Sequence, residues 1–283
     1  EITTRLVGSE MCIRDSHKKL EKQTSEIAVT MDKLSLPRGQ METDYQKMLR
    51  SLYITLQQQI NELENGQVEQ AEYFTMWVHQ IKTPIAALRL LLAEEEDERS
   101  QEMWEELFSI EQYVEMALQF SRLSAKSTDF VIGEVSLDKV VREAIHKYAR
   151  LFVRKKIKME LSSIDTQVLT DEKWLEFVIE QILSNAIKYT AGGTISVYLK
   201  EEPEQETKEL VIEDTGIGIA PEDLPRIFEK GYTGYNGHAD KRSTGIGLYL
   251  CRKIMRKLSH EITIESEIGV GTKVHLEMRS RDK

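Results

Sequence analysis

Four short motifs rich in glycine and polar residues follow one another in the second half of the chain. Asn185 lies in N-A-I-K-Y-T, Asp214 opens D-T-G-I-G-I, Gly245 opens G-I-G-L and Gly269 opens G-V-G-T. A glycine pair most often marks a tight turn, because glycine accepts a positive φ that other residues avoid. Each motif alone is therefore weak evidence for a ligand site, and only their combination predicts a function.

In this order, with a helix ahead and a glycine-bounded loop between, the motifs resemble the ATP-binding domain shared by histidine kinases, gyrases and Hsp90-type chaperones. The resemblance implies an α/β two-layer sandwich of the GHKL type that binds ATP with Mg²⁺. The ATP-binding residues that it implies are Asn185, Lys188, Tyr189, Asp214, Gly216, Gly218, Phe228, Gly245, Gly247, Leu248 and Thr272, with Asn185 as the metal ligand.

The residue types fit these roles. Asp214 can accept a hydrogen bond from the exocyclic amine of adenine, and Gly216 and Gly218 would let the backbone approach the purine without a Cβ in the way. Asn185 offers Mg²⁺ a neutral oxygen. Lys188, one turn along the same predicted helix, can reach a phosphate as a point charge.

The residues around the third motif predict a phosphate-binding site and a loop that closes over it. Gly245 and Gly247 precede a helical pattern whose N-terminal amides can hold phosphate oxygens. The segment 220–244 before it is rich in proline and glycine, which is typical of a mobile surface loop, and the resemblance makes it a lid over ATP. Lys230 and Arg242 in this segment are weaker candidates for phosphate contact.

The residue that would activate water is missing. The ATP-hydrolysing members of the superfamily place a glutamate one helical turn before the metal-binding Asn, and that position here is Gln181. An amide cannot act as a general base, and the neighbouring Glu180 is rotated by about 100° around the helix. We therefore expect a separate phosphoryl acceptor rather than hydrolysis.

The first half of the chain offers such an acceptor. The stretch F-T-M-W-V-H-Q-I-K-T-P ending at Pro84 resembles the phosphoacceptor box of sensor histidine kinases. His79 stands beside Val78 but off the apolar seam, so its ring is expected to face solvent, where a neutral imidazole is a good nucleophile. Without the ATP motifs, a flank histidine with no role would be the simpler interpretation.

Two neighbours of His79 bear on mechanism. Most histidine kinases have a carboxylate directly after the histidine, whereas this chain has Gln80, which can orient the ring but cannot take up its proton. Thr83 is, by family analogy, the residue that positions water to dephosphorylate the partner; its alternative is a hydroxyl bonded back to a helix carbonyl. Pro84 removes an amide from the helix and predicts a bend one turn past His79.

Apolar spacing predicts the elements that position these groups. Steps of three and four residues from Leu49 to Leu63, from Phe74 to Leu92 and from Met103 to Ala117 predict amphipathic helices, with only a weak interruption at Asn65-Gly66. The last two segments form an antiparallel hairpin whose apolar face needs a partner, so we predict a homodimeric four-helix bundle.

Beyond a polar hinge the pattern mixes helices and strands. Helices are predicted over Leu137 to Phe152 and Asp171 to Tyr189, and strands over 194–200, 209–213, 262–266 and 272–278. The expected domains are a non-native segment 1–16, which contains an adapter-like M-C-I-R-D-S, a helical juxtamembrane linker 17–66, a dimerisation and histidine phosphotransfer domain 67–127 and a catalytic ATP-binding domain 128–283.

Composition excludes several other classes. With 38 basic and 48 acidic residues the net charge is -10, which argues against nucleic acid as a partner. Two cysteines support neither a disulfide framework nor a cysteine zinc site. Since no apolar run reaches the roughly 18 to 20 residues that span a bilayer, we expect this chain to be soluble and cytoplasmic.

The details W-V-H-Q-I-K-T-P-I and I-F-E-K-G-Y-T-G look most similar to the small intramembrane-sensing kinases of Gram-positive bacteria. That resemblance implies autophosphorylation of His79, transfer to an aspartate of a response regulator receiver domain, and phosphatase activity towards it. It also implies an intact protein in the cell membrane, with this part on the cytoplasmic side, beside an ABC transporter permease. An ATPase-driven clamp of the chaperone class and a non-catalytic dimeric scaffold remain the alternatives.

Overall fold

The computed structural model of the chain describes residues 36–37, 39–93, 97–124, 130–200, 207–234 and 244–279. The segment 1–16 and Arg242 lie outside these ranges. The chain divides into two compact units, Glu1–Val68 and Glu69–Lys283. The second unit contains both the predicted hairpin and the predicted ATP-binding domain.

Helix α1 covers Gln40–Ala93 without a break, so Asn65-Gly66 does not interrupt it. In the first unit the predicted apolar stripe, which includes Leu52, Leu56 and Leu63, is exposed. No helix in the described ranges combines the length and apolarity that crossing a bilayer requires. The spacing of these residues places them on one face of the helix, but that face is not buried in this single chain.

Helix α2, Glu98–Ser124, pairs with the C-terminal part of α1 as the predicted antiparallel hairpin. The seam is apolar and consists of Val78, Ile85, Leu107, Val114 and Leu118. Two ion pairs flank it, Lys82–Glu115 at 2.7 Å and Arg89–Glu111 at 3.3 Å. From the first pair to the second, the residue number rises on α1 and falls on α2, which shows that the two helices run antiparallel.

The remaining elements form an α/β domain. In chain order they are β1 (Gly133–Ser136), α3 (Leu137–Arg154), β2 (Lys158–Leu161), β3 (Gln167–Thr170), α4 (Glu172–Tyr189), β4 (Thr194–Lys200), β5 (Thr207–Asp214), α5 (Gly247–Lys257), β6 (Glu261–Glu267) and β7 (Gly271–Arg279). The main sheet has the order β2-β4-β5-β7-β6, and β1 pairs separately with β3. Only β2 and β4 run parallel; the other main-sheet pairs are antiparallel.

The core lies between one face of this sheet and the three helices. Alternate strand residues such as Val197, Ile212 and Leu276 are buried against α3, α4 and α5. Side-chain caps start two of these helices: Ser136 accepts from Lys139 at α3, and Asp171 accepts from the Trp174 amide at α4. The result is the two-layer sandwich that the sequence predicted.

Candidate functional site

A cavity of about 470 Å³ opens where β5 ends and α5 begins. Nine of the predicted nucleotide residues line it: Asn185, Lys188, Tyr189, Asp214, Gly218, Gly245, Gly247, Leu248 and Thr272. Two do not. Gly216 packs beside Asp214 and the Tyr189 carbonyl, and Phe228 packs against the domain core with the Arg252 guanidinium 5.0 Å from its ring centroid.

Asp214, the last residue of β5, supplies a buried carboxyl group at the cavity. It is 8% exposed, and its Oδ1 accepts a hydrogen bond from the Gly216 amide at 2.8 Å. Burial raises the pKa of Asp214 to about 6, although hydrogen bonds from the Gly216 and Thr272 amides act in the opposite direction. Near pH 7.5 the group is therefore an ionised acceptor held in place by backbone amides, which suits an amine donor.

The glycines after Asp214 serve the protein's own packing. Gly218 has φ +72°, and a Cβ there would overlap the Glu267 carbonyl oxygen. A Cβ on Gly216 would lie 2.6 Å from the Tyr189 carbonyl oxygen. From the sequence alone both glycines are assigned to the approach of a purine; in the structure the close neighbour of each is protein backbone.

The predicted phosphate end of the cavity is the start of α5. Its N-cap, Ile246, makes no side-chain capping bond, so the first amides of this 11-residue helix remain available for phosphate oxygens. Gln181 lies directly against this end, since a Cβ on Gly247 would be 2.6 Å from its Nε2 atom. Glu180 lies outside the lining and pairs with Lys147 at 2.5 Å.

Helix α4 brings the candidate metal ligand to the same place. Asn185, Lys188 and Tyr189 line the cavity, with the Lys188 Nζ atom 5.2 Å from the Tyr189 ring centroid. Within the described ranges, no group of three or more His, Cys, Asp or Glu side chains could hold a metal ion. One amide oxygen beside a phosphate site fits Mg²⁺, which takes few protein ligands and fills its shell with waters and phosphates.

The predicted lid lies partly outside the described residues. Tyr232, Thr233 and Thr244, from its two described ends, line the cavity. Lys230 does not; its Nζ atom stands 4.8 Å from the ring centroid of Phe120 on α2.

The predicted phosphoacceptor lies apart from the cavity. His79 and Gln80 are exposed on α1 beside Val78, which is 1% exposed. The Thr83 hydroxyl donates to the His79 carbonyl at 3.3 Å, which is the backbone-bonded alternative for this side chain. None of these three residues lines the cavity. The imidazole can thus meet a solvent-borne partner, but the two halves of the site do not meet in this arrangement.

Helix α2 contributes residues that sequence reasoning does not find. Phe108, Gln112 and Met116 line the cavity, and Gln112 also bonds to Ser184, the residue before Asn185. Their helical spacing predicts only a hairpin, because a contact between two domains leaves no local sequence signal.

The sequence of the chain matches a known protein family and several of its members. Residues 170–282 match the family described as histidine kinase-, DNA gyrase B-, and HSP90-like ATPase. The sensor histidine kinase YxdK of Bacillus subtilis (strain 168) is 35% identical over 231 residues, which are 81% of this chain and 71% of that protein. The sensor protein BceS of Halalkalibacterium halodurans is 30% identical over 257 residues, 90% and 76% of the respective chains.

The chain belongs to the sensor histidine kinases. The sensor protein kinase GraS of Staphylococcus aureus (strain MRSA252) is also 35% identical, over 71% of this chain and 58% of its own length. Among solved structures, full-length ShkA in complex with AMPPNP has a TM-score of 0.54 at 20% identity, over 75% of this chain and 47% of ShkA. That likeness concerns the fold. The family match and the relatives show a protein histidine kinase with an ATP-binding domain.

Proposed function

We propose that this kinase transfers the γ-phosphoryl group of Mg-ATP to His79 and then to an aspartate of a response regulator receiver domain. The supporting observation is that one cavity unites Asn185, Asp214 and the uncapped start of α5. Asp214 accepts from adenine, the α5 amides hold phosphate oxygens, and Asn185 holds Mg²⁺. The metal, when bound, neutralises phosphate charge.

Transfer to His79 is a nucleophilic displacement. The unprotonated imidazole nitrogen forms a bond to the γ-phosphorus as the bond to the bridging oxygen breaks, and ADP leaves with that oxygen. The other ring nitrogen then loses its proton. Gln80 cannot take it, so the exposed ring releases it to water. Thr83 then takes part in dephosphorylating the regulator, once its hydroxyl leaves the His79 carbonyl.

Retention of the phosphoryl group, rather than its loss to water, follows from Gln181. This amide occupies the space beside the first residue of α5, where a carboxylate would have activated water. Glu180, the nearest acid in sequence, is tied to Lys147. This chain therefore lacks, at this position, the general base that a chaperone-type ATPase uses to activate water.

The functional unit that we propose is a homodimer. The hairpin buries one seam but leaves large apolar side chains exposed, among them Leu88, Leu91, Met103 and Ile110. A second copy covers such a face by forming a four-helix bundle. From the resemblance of its motifs to intramembrane-sensing kinases, we also propose that the intact protein is a membrane sensor that responds to peptide antibiotics beside an ABC transporter permease, with this part on the cytoplasmic side.

The experiment is an incubation of the purified chain with γ-labelled ATP and Mg²⁺. We expect label that is stable to base and lost in acid, as a phosphoramidate is, and no label on the His79→Gln variant. Equal labelling of that variant would show that His79 is not the acceptor.

A further inference from the structure

Helix α2 forms one wall of the ATP cavity. Phe108, Ser109, Gln112 and Met116 line it, whereas no described residue of α1 does so. The helix that carries His79 is therefore not the one that the nucleotide meets in this chain. Transfer to His79 within one chain requires a different arrangement of the hairpin and the ATP-binding domain, so the contacts that hold α2 against that domain oppose it.

Gln112 makes the most specific contact between the two domains. Its Nε2 donates to the Tyr148 hydroxyl at 2.6 Å, and its Oε1 accepts from the Ser184 hydroxyl at 3.0 Å. Tyr148 is 2% exposed. Because Ser184 directly precedes Asn185, one side chain of α2 ties α3 and α4 together beside the candidate metal ligand.

Other contacts support this bond along α2. Towards its start, Trp104 stacks on Phe108 with ring centroids 5.1 Å apart, and Phe108 meets Tyr148 edge-on at 5.4 Å. Arg154 of α3 pairs with Glu105 at 2.9 Å. Near its end, the Lys257 ammonium donates to the Leu123 carbonyl at 3.2 Å. These contacts lie on both sides of Gln112, so it stands near the middle of the interface.

We propose that Gln112 is a latch that holds the ATP-binding domain against α2 in a resting state, and that its release lets the nucleotide reach His79. The proposal rests on the proposed function. With Gln112 removed, the Tyr148 and Ser184 hydroxyls lose their bonds to α2 when the domains are closed and keep the bond between themselves, whereas both can also bond to water when the domains are open. Loss of two ordinary hydrogen bonds shifts such an equilibrium by on the order of tenfold.

The test uses the full chain with Gln112→Ala and the matched control Glu111→Ala. Glu111 is the adjacent residue of α2, but its ion pair with Arg89 stays within the hairpin. Two quantities are measured: amide hydrogen exchange over residues 105–118, and the initial rate of His79 phosphorylation at saturating Mg-ATP. We expect Gln112→Ala to exchange faster and to phosphorylate several-fold to about tenfold faster, with Glu111→Ala unchanged in both.

Ser184→Ala should give a smaller acceleration, because it removes only one of the two bonds of Gln112, and adding it to Gln112→Ala should change the rate little further, since that bond is already gone. Unchanged exchange in Gln112→Ala, or a rate at or below that of the parent chain, overturns the latch. If the parent chain and every variant fail to phosphorylate His79, the proposed function fails, and the exchange data then show separately whether Gln112 holds the domains together.

Discussion

Replacing Asp214 by asparagine should make the protein more stable and a poorer binder of ATP at once. Burial raises the pKa of this carboxyl from 3.8 to about 6, and a pKa that differs by one between the folded and unfolded states corresponds to about 1.4 kcal/mol. Keeping Asp214 ionised in the folded state therefore costs about 3 kcal/mol near pH 7.5. Asparagine is uncharged and nearly the same shape, so Asp214→Asn should recover about 1 to 3 kcal/mol of unfolding free energy.

The sign of the pH dependence follows from the raised pKa. The cost is absent below the unfolded pKa of 3.8, grows as the pH rises, and is complete above about 6. The stability advantage of Asp214→Asn should therefore be largest at pH 7.5 and should narrow as the pH falls towards 4. Urea denaturation at several pH values measures it.

The loss of affinity has a separate cause. A carboxylate offers only acceptors, whereas an asparagine that keeps its oxygen on the Gly216 amide turns an NH₂ donor towards the adenine amine. A lost charged hydrogen bond is worth about 1.5 to 3 kcal/mol, so affinity should fall by at least about tenfold. Calorimetric titration with a non-hydrolysable ATP analogue and Mg²⁺ measures this.

Glu213→Gln is the matched control, because Glu213 precedes Asp214 on β5 but bonds to Tyr198 and Lys273 instead of lining the cavity. It should leave ATP affinity unchanged. If Asp214→Asn bound the analogue as tightly as the parent chain, the assignment of this carboxyl to adenine would be wrong. If it were less stable at pH 7.5, the argument from the buried charge would be refuted.

Three further outcomes are expected. Gln181→Glu places a carboxylate against the start of α5, so sustained phosphate release should appear in a steady-state assay. The control variant Gln181→Ala should release none. If the glutamate variant also released none, the role given to position 181 would be contradicted. Burial lowers the pKa of His260 from 6.5 to about 4, so between these pH values the unfolded chain binds a proton that the folded protein does not. About 2 kcal/mol of unfolding free energy should therefore be lost between pH 7.5 and 5. His260→Phe should lose less over that interval in urea titrations, and an equal loss would show that His260 is not responsible. Gly218→Ala sets a Cβ against the Glu267 carbonyl at a positive φ and should lower the unfolding free energy by about 2 kcal/mol or more. Gly192 also has a positive φ, but a Cβ there meets no neighbour, so Gly192→Ala should lower the unfolding free energy less. Equal losses in the two variants would refute the overlap.

The long, periodic elements could be predicted from the sequence. The strand predicted over 194–200 is observed as Thr194–Lys200, and the helix predicted to end at Tyr189 ends there. Their alternation and apolar spacing reflect burial on one face, which is a local signal. The strands Gly133–Ser136, Lys158–Leu161 and Gln167–Thr170 were missed because four residues are too short to show a period.

The site could be predicted where one motif contributes one residue, and not where distant segments meet. Asn185, Asp214 and Gly247 line the cavity as expected. The neighbour of Gly218 and the bridge from Gln112 to Ser184 depend on how β6 and α2 pack, which nothing beside those residues in the sequence records. The continuity of α1 through Asn65-Gly66 was missed because one glycine costs a long helix only about 1 kcal/mol.

The central claim is that the γ-phosphoryl group of ATP bound in this cavity is transferred to the imidazole of His79. Tandem mass spectrometry of peptides prepared at neutral pH, after incubation with Mg-ATP, tests it directly by locating the modified residue. We expect a phosphoryl group on His79, in an amount that is at least several-fold lower in the Asp214→Asn protein at limiting ATP. Phosphate found reproducibly on another residue while His79 stays unmodified would contradict it.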